Sequence, residues 1–191
     1  MLQFIIFLGA VINVIGTFSY IRETIRGNTK PNKVTWLLWS IAPLIAAAAS
    51  FSDGVRPLVI VPVLFSGLMP LLVLLSSFVN PNAYWKLEKF DYLCGIFSLL
   101  ALILWQLTDE PAVAIFLAIV SDIFASIPTI VKSWRFPKTE TPLAYLTASL
   151  STLTAFFAIT TWDFSSYAFP LYLVLLNTLL VIILYRKKFI P

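Results

Sequence analysis

Asp122 is the one Asp, Glu, Lys or Arg that falls in the middle of a long apolar stretch, well away from both ends of 111–132. A charged Asp at the centre of a membrane helix costs about 2.5–3.5 kcal/mol on insertion scales, so such a side chain faces protein or water rather than lipid. That chemistry makes Asp122 a candidate proton-coupling group and a candidate contact for a solute. Asn13 stands 109 positions upstream of it. Each residue opens a small polar stripe: Asn13, Gly16 and Thr17 in one copy, Asp122, Ala125 and Ser126 in the other. Residues spaced i, i+3, i+4 share one helical face, and small or hydroxyl side chains there let helices approach closely. Asn177, inside the apolar run 167–186, has an amide with up to four hydrogen bonds to satisfy in hydrocarbon. Its neighbours on the same face, Leu173 and Pro170, are apolar, so a polar partner is expected from another helix. Pocket lining and interhelical hydrogen bonding both remain open for Asn177. Trp39 lies a turn deeper than an interfacial tryptophan would and completes the candidate substrate-binding set of Asn13, Trp39, Asp122 and Asn177.

The residue inventory argues against an enzyme. Histidine is absent and Cys94 is the single cysteine, which removes the commonest general base and any thiolate cluster or internal disulfide. Intramembrane acid proteolysis needs two facing carboxylates, and the spans supply one. No nucleophile with an adjacent base and no phosphate loop can be read from the chain, and no cofactor or metal is expected.

The elements that must position these residues are membrane helices. Of 191 residues, 60% are apolar and 12% charged, and the mean hydropathy is +0.93, values of an integral membrane protein. Seven apolar runs, near 2–21, 34–52, 57–79, 91–107, 111–132, 142–161 and 167–186, are each long enough to cross about 30 Å of hydrocarbon as a helix. The first run lacks a basic flank and a clear cleavage site, so it reads as a retained span rather than a signal peptide. Of the 13 Lys and Arg residues, all but Arg56 fall in gaps on one side of this pattern. Asp53, Asp109, Glu110 and Asp163 fall on the other. The positive-inside rule then places the amino end outside and the carboxyl end in the cytoplasm, with the plasma membrane as the expected location. Topology accounts for the basic charge, so nucleic acid is not an expected partner. Trp36, Trp85 and Trp134 near one boundary, and Trp105 and Trp162 near the other, read as interfacial belts.

The 109-residue shift pairs more than Asn13 with Asp122. Gly16 meets Ala125, Thr17 meets Ser126, Ile21 meets Ile130, Thr24 meets Ser133, Arg26 meets Arg135 and Trp36 meets Tyr145; with a one-residue slip, Pro62 meets Pro170. The expected fold is therefore all-α, with seven transmembrane helices as two parallel three-helix bundles joined by a linker helix. Residues 1–79 form the first bundle, 80–109 the loop and linker, and 110–191 the second bundle and a short tail.

This three-plus-one-plus-three plan with the amino end outside resembles the SWEET sugar transporters and the wider PQ-loop (MtN3/saliva-like) superfamily. Members carry Pro-Gln near the end of the first helix of each unit, then a basic residue. The second copy here, Pro128-Thr129-Ile130-Val131-Lys132, keeps the proline and the basic residue; the first, Ser19-Tyr20-Ile21-Arg22-Glu23, has neither proline nor glutamine. The chain is thus similar to a divergent member without an intact Pro-Gln motif. The resemblance implies a carrier that moves a small polar solute (sugar, amino acid or organic acid) by alternating access, with Asn177 in the pocket and helix prolines, Pro43 and Pro128 here, as hinges. A receptor or assembly protein of the same architecture, of the KDEL-receptor type, is the alternative. Expected partners are membrane lipids and a small-molecule solute, with a homo-oligomer left open. The segment Gly27 to Asn32 reads as a turn, with a part in closing the inner gate also open.

Overall fold

The computed structural model describes residues 2–52 and 57–189. Among these residues the chain forms seven α-helices and no strand: α1 (Leu2–Ile25), α2 (Lys33–Ser52), α3 (Pro57–Ser76), α4 (Lys89–Gln106), α5 (Pro111–Arg135), α6 (Pro142–Ala155) and α7 (Phe164–Phe189). Three of them, α4, α5 and α7, are long and apolar enough to cross a membrane. The expected outer charges Asp53 and Arg56 lie outside the described residues.

The helix ends follow from local chemistry. Gly27, with φ +81°, ends α1 in a left-handed turn in which Asn28 donates to the Glu23 carbonyl at 3.0 Å and Gly27 to that of Thr24 at 2.9 Å. Asn32 caps α2 by accepting from the Val34 and Thr35 amides at 3.1 and 3.3 Å. Asp91, in the first turn of α4, accepts from the Glu88 amide at 2.7 Å and from the Asn32 side chain at 3.0 Å, so one carboxyl serves two helix starts. Asp163 does similar work before α7, and the Ser166 side chain and amide hold its carboxyl below the usual range.

One expected span is shorter than its apolar run. The run 142–161 yields an α-helix of 14 residues followed by a 3-10 turn, Phe156–Ala158. At 1.5 Å per residue the α-helical part covers about 21 Å, less than a hydrocarbon core. Its second half is rich in hydroxyls that bond back to the helix, Thr152 to the Ala148 carbonyl and Thr154 to that of Ser151. Such side chains compete with the backbone and favour early termination.

Polarity is arranged inside out. Large apolar side chains such as Phe7, Ile15, Phe18, Ile96, Ile103, Phe116, Leu175 and Ile182 face outward, whereas Thr17, Thr35, Ser98, Ser121, Ser126, Thr129, Thr147 and Ser149 are buried. That much exposed apolar surface marks a membrane protein. The buried hydroxyls join helices: Ser98 with Ser121 (3.1 Å, α4 to α5), Thr129 with Thr35 (3.0 Å, α5 to α2) and Ser149 with Thr178 (3.0 Å, α6 to α7).

Helix neighbours form a reciprocal pattern. The third helix, α3, packs against both α1 and α2, and α7 packs against both α5 and α6. Between these groups α1 packs on α6 and α2 on α5, while α4 lies against α5 and α2. The small residues of α1 face α6. A Cβ at Gly16 would run into the Thr147 side chain, and one at Gly9 into that of Thr154. Gly16→Ala should lower stability in detergent by about 1–3 kcal/mol, and Thr147→Ala in the same chain should return much of the loss. Equal thermal unfolding of Gly16→Ala and wild type would show that the seam is not close-packed.

Candidate functional site

Two adjoining cavities occupy the middle of the bundle, with volumes of about 240 and 270 Å³. Asn13, Trp39, Asp122 and Asn177 all line the first, so the structure gathers the four sequence candidates around one space. Trp39, Pro43, Ser66, Asp122 and Phe169 line both cavities and form the partition between them. Met69, near the position that the 109-residue shift pairs with Asn177, lines the first cavity as well. Pro128 does not line either. It is buried inside α5, next to the Thr129–Thr35 bond, whereas Pro43 lies on the cavity wall, and both helices continue through their prolines.

Asp122 is half-buried, its open side toward the cavity. Its Oδ2 accepts a hydrogen bond from the Tyr172 hydroxyl at 2.7 Å. Tyr172 sits off the Asn177 stripe of α7, and this rotation lets it reach α5. Asn177 finds its own partner within α7, donating to the Leu173 carbonyl at 2.8 Å, so the expected partner from another helix is replaced by a bond one turn back. Among the described residues the buried indole N–H groups of Trp36 and Trp39 make no well-formed hydrogen bond, although Trp36 lies near the Tyr20 hydroxyl and Trp39 near the Asp122 carboxyl. Trp36 is only 7% exposed, packed on Tyr20 at 4.7 Å between ring centres, and is not the interfacial residue its place in the sequence suggested. The reason is that its ring turns inward, between Tyr20 of α1 and Trp39 of its own helix, into the core cluster that includes Tyr145 and Leu180. Among the described residues no three Cys, Asp or Glu side chains converge, and no arrangement there would hold a metal ion.

Beneath the cavity, at the end of the bundle where α1 stops and α2 starts, lies a second polar centre. Lys132 and Glu140 form an ion pair at 2.5 Å with side-chain exposures of 1% and 0%. The other Glu140 oxygen accepts from Tyr20 and Tyr145, each at 2.8 Å. Lys132 also donates to the Lys30 carbonyl and lies 5.0 Å from the centre of the Trp85 ring. Thr29 bonds Thr141 at 2.5 Å alongside. The loop Gly27 to Asn32 is thus tied into this centre as well as turning the chain. Trp36 and Tyr145, which pair across the 109-residue shift, both line the cavity floor and both touch Tyr20.

Sequence reading assigned Lys132 to the basic loops, and its burial is a correction. The signal was present in its spacing: Asp122, Ala125, Thr129 and Lys132 succeed each other by three, four and three residues and so share one face of α5. Glu140 gave no such signal, because its partners come from three separate parts of the chain. No family model, curated protein or solved structure matches this chain.

A buried ion pair loses heavily when one member is removed, because the survivor is left as an uncompensated charge. Lys132→Met should therefore lower stability by about 3–5 kcal/mol, while Lys132→Met with Glu140→Leu should cost markedly less. Thermal unfolding in detergent reads both. A single substitution no worse than the double would mean that water already reaches the pair.

Proposed function

We propose that the protein is a carrier of a small polar solute that works by alternating access, with two three-helix bundles rocking about the central cavity. The observation that carries the reading is the convergence of Asn13, Trp39, Asp122 and Asn177 on one cavity from α1, α2, α5 and α7. The reciprocal packing supports it: exchanging α1 with α5, α2 with α6 and α3 with α7 maps the α1 to α6 contact onto the α5 to α2 contact. That is the relation expected of two parallel repeats about an axis along the membrane normal, with α4 as the linker. The architecture is SWEET-like, and the carrier reading takes its mechanism from that class. The amino end lies outside and the basic end of the bundle faces the cytoplasm.

In this reading the Lys132–Glu140 centre is the closed inner gate. It joins α5 and the loop before α6 to α1 and the α1–α2 loop, that is, one bundle to the other. Trp36 and Tyr145 line the cavity on that side, and Tyr20 packs on both. Opening requires the bundles to part there, and Pro43 on the cavity wall is placed to let α2 bend, since it gives no N–H to the Trp39 carbonyl. Pro128 serves the same purpose in α5. Asp122 is the coupling group, taking a proton when the solute leaves.

Purified protein in proteoliposomes should show counterflow of a labelled solute from a panel of sugars, amino acids, amines and organic acids. Asp122→Asn should abolish accumulation driven by a pH gradient while counterflow at saturating solute persists. Binding without counterflow would argue for a receptor, and an unaltered pH response in Asp122→Asn would remove the coupling role.

A further inference from the structure

The charge balance of the cavity points to the class of solute, an inference that rests on reading this space as a solute site. Among the described residues no Lys or Arg lines either cavity, and Asp122 is the only ionisable carboxyl on their walls. An organic acid entering there would meet a carboxylate and no compensating cation. Among the described residues Asp122 receives one well-formed hydrogen bond, from Tyr172, with Trp39 also nearby, whereas a carboxylate has about four lone-pair sites to offer. Spare acceptor capacity on a charge held away from water is satisfied best by a charged donor.

The rest of the wall suits a cation. The rings of Trp36, Trp39 and Phe169 line the same space as Asp122, and an aromatic face attracts an ammonium within about 6 Å of its centre, most strongly for tryptophan. Pro43 leaves the Trp39 carbonyl without its helical N–H partner, which adds an acceptor on the same wall. A solute carrying an ammonium on a small apolar frame answers both the carboxyl and the aromatic wall. The cavity of about 240 Å³ equals roughly eight water volumes, room for a solute of a few non-hydrogen atoms with some of its water. We propose that the cavity takes a small organic ammonium, with Asp122 as its counter-ion and the Trp36, Trp39 and Phe169 rings about it.

The test is calorimetric titration of the full chain in detergent with three probes of similar size and different charge: ethanolamine, ethylene glycol and glycolate, with glucose as a neutral sugar. Ethanolamine should bind saturably, and the neutral and anionic probes should bind at least about tenfold more weakly. Asp122→Asn should weaken ethanolamine by about tenfold or more and leave ethylene glycol unchanged. Trp39→Leu should also weaken ethanolamine, and it keeps the proposal falsifiable if Asp122→Asn does not fold. Preference for glucose, glycol or glycolate over ethanolamine overturns the proposal, as does the absence of saturable ethanolamine binding. The two readings fail separately. Ethanolamine binding without counterflow of labelled ethanolamine defeats the carrier and leaves the ligand class standing, whereas counterflow of a sugar without amine binding does the reverse.

Discussion

A lysine and a glutamate buried to about one per cent exposure set the terms for the rest of this molecule. Removing each ion from water costs several kcal/mol even after relaxation, and the pair recovers that only when its remaining donors and acceptors are also met. Here they are met by pieces of chain far apart in sequence: Tyr20 from α1, the Lys30 carbonyl from the following loop, Trp85 from the loop before α4 and Tyr145 from α6. None of these partners can move alone without exposing a charge to an apolar surround. The four segments are therefore held in one arrangement at that end, and the cavity floor of Trp36 and Tyr145 rests on them.

The polar groups at mid-depth are organised by the opposite logic. Below the floor, the Lys132–Glu140 pair has its donors and acceptors matched within the protein; Asp122 takes a bond from Tyr172 and has open volume beside it. A polar group beside open volume is what a site for a passing ligand requires, and matched groups without volume are what a seal requires. The two centres lie one above the other, joined through Trp36 and Tyr145.

The helical content was legible because apolar length is a strong signal, and the cavity residues were legible because polar groups in long apolar runs are rare. Asn13, Trp39, Asp122 and Asn177 each stood out for that reason, and the 109-residue register linked the first and third. What the sequence hid were relations between distant residues. Lys132 and Glu140 sit at helix ends, where charges are normally solvated, so their burial shows only once α1 and α6 close over them. Trp36 was misplaced by the same rule, since a tryptophan at a helix boundary is interfacial only when that boundary faces lipid. The shortening of α6 lay in hydroxyl chemistry that hydropathy does not register, and Asn177's partner in the choice between a neighbour and its own backbone.

The seam between α1 and α6 differs in kind from the one between α2 and α5. Gly9 faces Thr154 and Gly16 faces Thr147, two contacts two turns apart with no room for a methyl group at either level. Across the bundle, α2 and α5 touch through the Thr35 and Thr129 hydroxyls, with α4 laid alongside. Surfaces locked at two heights resist sliding but still permit rotation, while a seam of hydroxyl contacts can part and re-form. Rocking of the kind proposed would be eccentric: the α1–α6 line would serve as the axle, the α2–α5 side would swing, and the pathway would widen on the flank that α4 covers.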